Sequence, residues 1–297
     1  MVIGEGNALR FTKMHGLGND YVYIDAYNNP ALEHLDWPSL APALSDRHTG
    51  VGGDGVILIA RPRDNANHAR MRTYNADGSE SGACGNGTRC VARYLRERLD
   101  IKDRMLNIES GQRILRCEAL PNGAVRVDMG APGLTPADCH IDVKALASVS
   151  PPTIEVDGHP LRFWHVSMGN PHAVCFVHEN PWLGQDLASQ ARRLGPTIEH
   201  HRAFSQRTNV HFVRIDSREH ATVHTWERGA GPTRACGTGA CATLVAGVRV
   251  GVLAGHATLA LPGGPLSVEW SPVDQGGDGI VYQTGSAEFV FEGTWTR

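Results

Sequence analysis

Short runs in which apolar and polar residues alternate make up most of this chain, and only four stretches carry a helical period. Leu9 and Phe11 lead into a GLGND turn and then the run Tyr21, Val22, Tyr23, Ile24, which predicts strand, glycine turn, strand over residues 9–25. A short helix is expected over 37–47 and a glycine loop, HTGVGGDG, over 48–55. Buried strands follow at 56–60 and 71–75. Residues 85–99 recover a helical period, with Val91, Leu95 and Leu99 on one face, and several short strands broken by Gly and Pro fill 105–130.

The same order returns further along. A strand at 163–168 runs into a GNPH turn, a helix is expected over 186–194, and strands at 209–215 and 221–226 precede a helix over 239–252. Strand-like stretches at 279–283 and 287–291 close the chain. Two strings show that the recurrence is a duplication. TYNADGSESGACGNG and TWERGAGPTRACGTG superimpose at a spacing of 152, which matches Cys84 to Cys236, Thr73 to Thr225 and Tyr74 to Trp226. Gly18-Asn19 and Gly169-Asn170 repeat at 151. A constant long period marks a duplicated structural unit. The halves are expected at 1–131 and 140–283, joined by APGLTPADCH, with the assignment of the closing strand-like stretches left open.

A length of 297 residues suits two such domains. Hydrophobic content of 41% with 34 glycines fits an α/β or α+β protein rich in turns. A net charge of −3 supplies no basic footprint for nucleic acid. The longest apolar run, 241–255, is interrupted by Arg249 and reads as a buried helix, so no membrane association is expected. MVIGEGNALRF lacks the charged and apolar regions of a signal peptide, and the expected compartment is the cytosol. The seven cysteines are scattered and contain no C-x-x-C, which argues against a disulfide framework and against structural zinc. With three lysines, Lys13, Lys102 and Lys144, none in a phosphate-binding context, no pyridoxal phosphate is expected.

Cys84 and Cys236 each stand where a glycine-rich loop enters a helix. Unpaired N–H groups and the positive helix end favour thiolate there and can also hold a carboxylate. Two such cysteines facing one α-carbon, one thiolate and one thiol, could remove a proton from one face and return it to the other. The alternative is a pair of buried structural cysteines. Asn19, Asn75, Asn170 and Asn209 lie at turns or strand ends, where they are either ligand contacts or ordinary turn and capping residues. Arg228 could hold a second carboxylate, while His172 and Glu227 could bind an ammonium group or tune the thiols. Their plainer readings are a core histidine and a surface ion pair. His200, His201 and most of the other histidines are expected in solvated loops.

KMHGLGNDYVYID, YNADGSESGACGNGTRC, MGNPHAV, RTNV and WERGAGPTRACGTGACA closely resemble the diaminopimelate epimerase family, in its order and spacing, from about residue 10 to residue 255. The resemblance implies an α+β fold of two pseudo-symmetric α/β domains, each a β-barrel-like sheet around a central helix, with the C-terminal strand, about 284–297, returning to complete the first. It implies a homodimer that needs no cofactor and no metal. The activity it implies interconverts LL- and meso-diaminopimelate in lysine and peptidoglycan precursor synthesis. Cys84 and Cys236 would be the acid/base pair. Asn19, Asn75, Asn170, Asn209, Glu227 and Arg228 would contact substrate. Gly85-Asn86 and Gly237-Thr238 would donate backbone N–H groups to the reacting carboxylate, and His172 and Glu227 would adjust the thiols. The chain departs from the family at Gly55, where many members carry glutamine, and at Pro232, where many carry glutamate. A proline or hydroxyproline racemase is the nearest rival, and a cysteine-based redox or metal-binding protein is a rival from another class.

Overall fold

The computed structural model describes residues 8–81 and 85–296. Cys84 lies outside them. The chain divides into two compact units, Met1–Val127 with Gly285–Arg297, and Asp128–Thr284.

In the first unit, β1 (Leu9–Gly16) and β2 (Asn19–Asp25) form an antiparallel hairpin. Its two-residue turn has Leu17 at φ 57° and Gly18 at φ 78°, the pairing that matches the twist of the flanking strands. Gly16 therefore pairs with Asn19, which makes Asn19 the first residue of β2. Helix α1 (Trp37–Ser45) leads to β3 (Gly55–Ala60), β4 (Ala69–Asn75) and the two-residue β5 (Glu80–Ser81). All six residues of β3 are buried, as its unbroken apolar sequence requires of a strand covered on both faces. Trp37, Leu40, Ala41 and Leu44 of α1 pack with Val56 and Leu58 in one core cluster. Helix α2 (Gly85–Glu97) is buried along most of its length and touches β1, β2 and β4. It also touches β6 (Met105–Ser110) and β7 (Arg113–Ala119), which precede β8 (Val125–Asp128). The pairings from β1 to β2, β3, β4, β6, β7 and β8 run antiparallel, parallel, antiparallel, parallel, antiparallel, antiparallel. The final strand of the chain, Glu288–Trp295, pairs with β1.

The second unit begins with a small sheet of β9 (Ser148–Val149), β10 (Pro152–Val156) and β11 (His159–Arg162). Then come β12 (Trp164–Ser167), β13 (Pro171–Phe176), α3 (Leu187–Glu199), β14 (Asn209–Ser217) and β15 (His220–Glu227). The two-residue β16 (Gly231–Pro232) precedes α4 (Gly237–Arg249), β17 (His256–Leu261), β18 (Gly264–Trp270) and β19 (Val281–Gly285). The pairings β12–β13–β14–β15–β17–β18–β19 follow the same series of antiparallel and parallel steps as the first unit. Helix α4 touches β12, β13, β14, β17 and β18 and corresponds to α2. The duplication in the sequence is thus a duplication of topology.

Three placements differ from the sequence reading. Residues 131–140 belong to the second unit: Gly133 exchanges backbone hydrogen bonds of 2.9 and 2.8 Å with Ser167, and Cys139 is buried. Helix α4 starts at Gly237, two residues before the apolar period begins, because Cys236 caps it without a polar side chain that would advertise the cap. The strands β10, β11, β17 and β18 were not anticipated, since their alternation is too short to separate from the turns around it, and neither was β13, whose start lies in the GNPH turn.

Candidate active site

In the first unit the residues singled out from the sequence bind one another. Asn19 Nδ2 donates to Asp54 Oδ2 at 2.6 Å, and Asn19 Oδ1 accepts from Asn86 Nδ2 at 3.2 Å. Asn86 Oδ1 accepts from Arg89 at 2.9 Å, and Arg89, fully buried in α2, also donates to the Ser286 carbonyl at 3.1 Å. Asp54 in turn accepts from the Asp20 amide at 3.0 Å and from Arg47 at 2.9 Å. The chain Arg47–Asp54–Asn19–Asn86–Arg89 holds two amides at the start of α2. Lys13 and Arg47 hold the Asp20 carboxyl below its usual range against the opposing effect of burial, the largest single influence on it. Asn75 is set apart from this group: its Nδ2 donates to Ser79 Oγ at 2.9 Å and closes a local turn. Gly55 has room for no side chain, since a Cβ there would lie 2.1 Å from the Tyr74 carbonyl oxygen.

In the second unit the site gathers at the N-terminus of α4. Cys236 caps the helix at φ −112° and ψ 102°, is 5% exposed, and lies 3.7 Å from Thr238 Oγ1. Burial pushes its thiol well above the usual range, and the adjacent Glu227 carboxylate adds to this. Contacts from the Thr238 hydroxyl and the Gly239 N–H act in the opposite direction. At Cys236 the helix end and burial therefore act in opposite directions, and burial is the larger of the two. Glu227 Oε1 accepts from the Thr233 hydroxyl. Gly237 is buried, and a Cβ there would lie 2.7 Å from Gln283 Oε1.

Asn209 is buried and braced twice, donating to the Pro171 carbonyl at 2.8 Å and accepting from the Arg228 amide at 3.0 Å. That bond fixes the backbone from which the exposed Arg228 side chain projects, and Arg228 itself donates to the Gln206 carbonyl at 2.9 Å. Glu199, buried at the end of α3, anchors the same loop by accepting from Trp226 Nε1 at 2.7 Å and Gly229 N at 3.0 Å.

His172, on β13, is buried and bonded at both ring nitrogens, Nε2 to Asn170 Oδ1 at 2.9 Å and Nδ1 to His211 Nε2 at 2.8 Å. His211 continues to Thr225 Oγ1 at 2.9 Å, its direct cross-strand partner in the β14–β15 ladder. The reading of most remaining histidines as solvated loop residues fails for His211, which is 0% exposed in mid-strand. The tripeptide Val210-His211-Phe212 places it one alternation step from two apolar neighbours, but only the fold shows that both faces of β14 are covered. Burial pushes His211 down to about 3 and His172 well below 6.5, with the neighbouring ring and Arg228 adding to the effect at His172. Both rings are neutral in the fold.

A pH dependence follows with a definite sign. These groups have folded pKa values below their unfolded ones, so their stabilising contribution is complete above about pH 6.5 and is lost as pH falls toward 3. Between pH 7 and pH 5 the His211 ring should cost about 2 kcal/mol of stability. Urea unfolding at the two pH values should show a smaller loss in His211→Gln than in wild type. Equal losses would contradict a neutral buried His211.

The residues the sequence pointed to therefore form two clusters, one in each unit. Asn19 and Asn86 meet in the first. Asn170, His172, Asn209, Glu227, Arg228, Cys236, Gly237 and Thr238 surround the start of α4 in the second. Asp54, Arg89, Glu199 and His211 were missed, and of these Asp54 alone carried a signal, its place in the GVGGDG loop. Among the described residues no group of three or more His, Cys, Asp or Glu side chains could hold a metal. No helix among them is long and apolar enough to cross a membrane.

The duplicated α+β unit is a fold shared with solved structures of differing named activity, a phenazine biosynthesis protein of Bacillus anthracis among them. The hydroxyproline epimerase of Agrobacterium vitis shares the fold at a TM-score of 0.66 over 97% of this chain and 92% of that one, with 16% identity. The family description "Diaminopimelate epimerase" matches residues 11–135 and 164–290. The diaminopimelate epimerase of Stutzerimonas stutzeri is 44% identical over 288 residues, covering 96% of this chain and 98% of its own length. That of Desulfitobacterium hafniense is 44% identical over 289 residues, covering 96% and 97%. The chain belongs to the diaminopimelate epimerase family, a family of isomerases.

Proposed function

We propose that this enzyme interconverts LL- and meso-diaminopimelate by proton removal and return at one α-carbon, with Cys84 and Cys236 as the two acid/base groups and no cofactor. The observation that carries the reading is Cys236 itself, a buried thiol at a helix N-terminus with Glu227 raising its pKa. Inversion needs a proton donor on one face of the carbon, and a thiol whose pKa is pushed up by burial suits that part. Cys84 is then the acceptor in the same direction, and the roles exchange in reverse. Backbone N–H groups at the start of α4, from Gly237 and Thr238, suit the carboxylate on which charge develops as the proton leaves. Gly85 and Asn86 are assigned the same task at the start of α2.

Asn19, Asn75, Asn170, Asn209, Glu227 and Arg228 are assigned to substrate, with His172 and Glu227 setting the proton balance. Asn209 would act through the backbone it holds as much as by contact. Arg228, an exposed guanidinium on a braced loop, is assigned the distal carboxylate, which a one-carboxylate substrate such as proline lacks. We also assign a place in lysine and peptidoglycan precursor synthesis, a cytoplasmic location and a homodimeric state.

Incubation with LL-diaminopimelate in deuterated water should give meso product carrying deuterium at one α-position, followed by NMR. Proline, hydroxyproline and short monocarboxylic amino acids should exchange far more slowly. Arg228→Ala should lose roughly 30-fold or more in kcat/KM for diaminopimelate, the scale of one lost charge partner, and much less for exchange on a short amino acid. Unchanged constants for diaminopimelate would remove Arg228 from the distal site.

A further inference from the structure

The row Asn170–His172–His211–Thr225 crosses three adjacent strands, and its hydrogen-bond roles are interdependent. The Asn170 atom facing His172 is the carbonyl oxygen, which only accepts, so His172 Nε2 must carry a proton. A neutral imidazole has one N–H, which makes His172 Nδ1 an acceptor. Its partner at 2.8 Å, His211 Nε2, must then be protonated, and His211 Nδ1 accepts from the Thr225 hydroxyl. Both rings therefore share one tautomer, Nε2–H. Turning the Asn170 amide around would require both rings to move their proton to Nδ1 together. A single histidine beside Asn170 could change tautomer alone, but two buried neutral rings in series cannot change separately without two acceptors or two donors facing each other.

The pair is also held in place. The ring centroids are 5.0 Å apart, and Gly239 in the first turn of α4 lies over the His211 ring, where a Cβ would come within 2.1 Å of Cε1. The other groups facing His172 are the Arg228 charge, which disfavours a protonated ring, and Cys139, which accepts the His172 backbone N–H.

We propose that His211 is a positioning residue for the reaction: through His172 it locks the Asn170 side chain with its carbonyl oxygen inward, so that the amide nitrogen is presented as a donor to an anionic group of the substrate. The proposal rests on the assignment of Asn170 to substrate. Thr225 completes the row by satisfying His211 Nδ1.

Nitrogen-15 histidine spectra of the wild-type protein test the lock without any variant. Two slowly exchanging rings, both Nε2–H, are expected; two Nδ1–H rings, a mixture or a charged ring would overturn it. His211→Met removes the donor to His172 and should leave that ring in mixed tautomers. The same variant should raise KM about tenfold, the scale of one positioned hydrogen bond, with a smaller effect on kcat. His211→Gln, whose amide can still donate to His172 Nδ1, should return KM toward wild type. A His211→Met enzyme with wild-type KM, or a His211→Gln enzyme as impaired as His211→Met, would overturn the proposal. If wild-type protein shows the Nε2–H pair yet exchanges no α-proton of diaminopimelate, the assigned reaction fails while the lock stands. If exchange proceeds and the pair is not Nε2–H, the lock alone fails.

Discussion

Cys84→Ala and Cys236→Ala should each abolish epimerisation, with turnover falling by roughly 10²–10⁴-fold or more. The reason is stoichiometric. Removing a proton from one face leaves a planar carbanion, and inversion is complete only when a second group delivers a proton to the other face. Alanine at either position leaves one group where two are needed. Water is a poor replacement at Cys236, which is 5% exposed. The controls are Cys90→Ala and Cys241→Ala, both fully buried inside the central helices. These should lose stability on the scale of a small core truncation and keep most of their activity when folded. The two alanine variants should also differ from each other. If one cysteine can still remove the proton, exchange of the α-proton with solvent persists on one epimer without inversion. Near wild-type turnover in Cys236→Ala would refute the two-base mechanism.

Gly239→Ala is expected to be the most damaging conservative change in the second unit. The new Cβ would lie 2.1 Å from His211 Cε1 and 2.9 Å from each ring nitrogen. The ring cannot swing aside freely, because its two nitrogens are bonded to His172 and Thr225. Relief must come either from breaking those bonds or from lifting the first turn of α4. The second route pulls the Gly239 N–H away from the Cys236 sulfur and shifts the donors of Gly237 and Thr238. Overpacking of this kind costs about 1–3 kcal/mol, and either route should lower kcat as well. Pairing the change with His211→Ala removes the obstacle, so the double variant should regain stability over Gly239→Ala alone while keeping a raised KM. Denaturant unfolding of the three variants measures this. A Gly239→Ala protein as stable as wild type would show that the contact between α4 and His211 is looser than the structure has it.

Much of this was legible in the chain. The spacing of the two Ala-Cys-Gly-x-Gly strings announced the duplication, and the strand pairings repeat it step by step. Helix periods were visible wherever one face was apolar, as in α1 with Trp37, Leu40 and Leu44. The roles of Asn19, Asn86 and Asn209 were harder to read. An asparagine at a turn looks alike whether it meets a ligand or braces a backbone, and Asn209 proves to have its two amide ends on Pro171 and Arg228.

What the sequence by itself determined is the repeat, the family, and the placing of Cys236 at the start of the second central helix, since all three follow from residue order. Only the tertiary structure decided the upward shift of the Cys236 thiol and the burial of His211. The field of a helix end is local and is worth about 0.3–1 kcal/mol. Desolvation of a buried thiolate, with the Glu227 carboxylate beside it, acts in the opposite direction and outweighs that field at Cys236. The larger effect depends on how many strands close over the sulfur, and no spacing in the chain records that. His211 is the same case: its neutrality and its hold on Asn170 exist only because β13, β14 and β15 stand side by side with α4 packed across them.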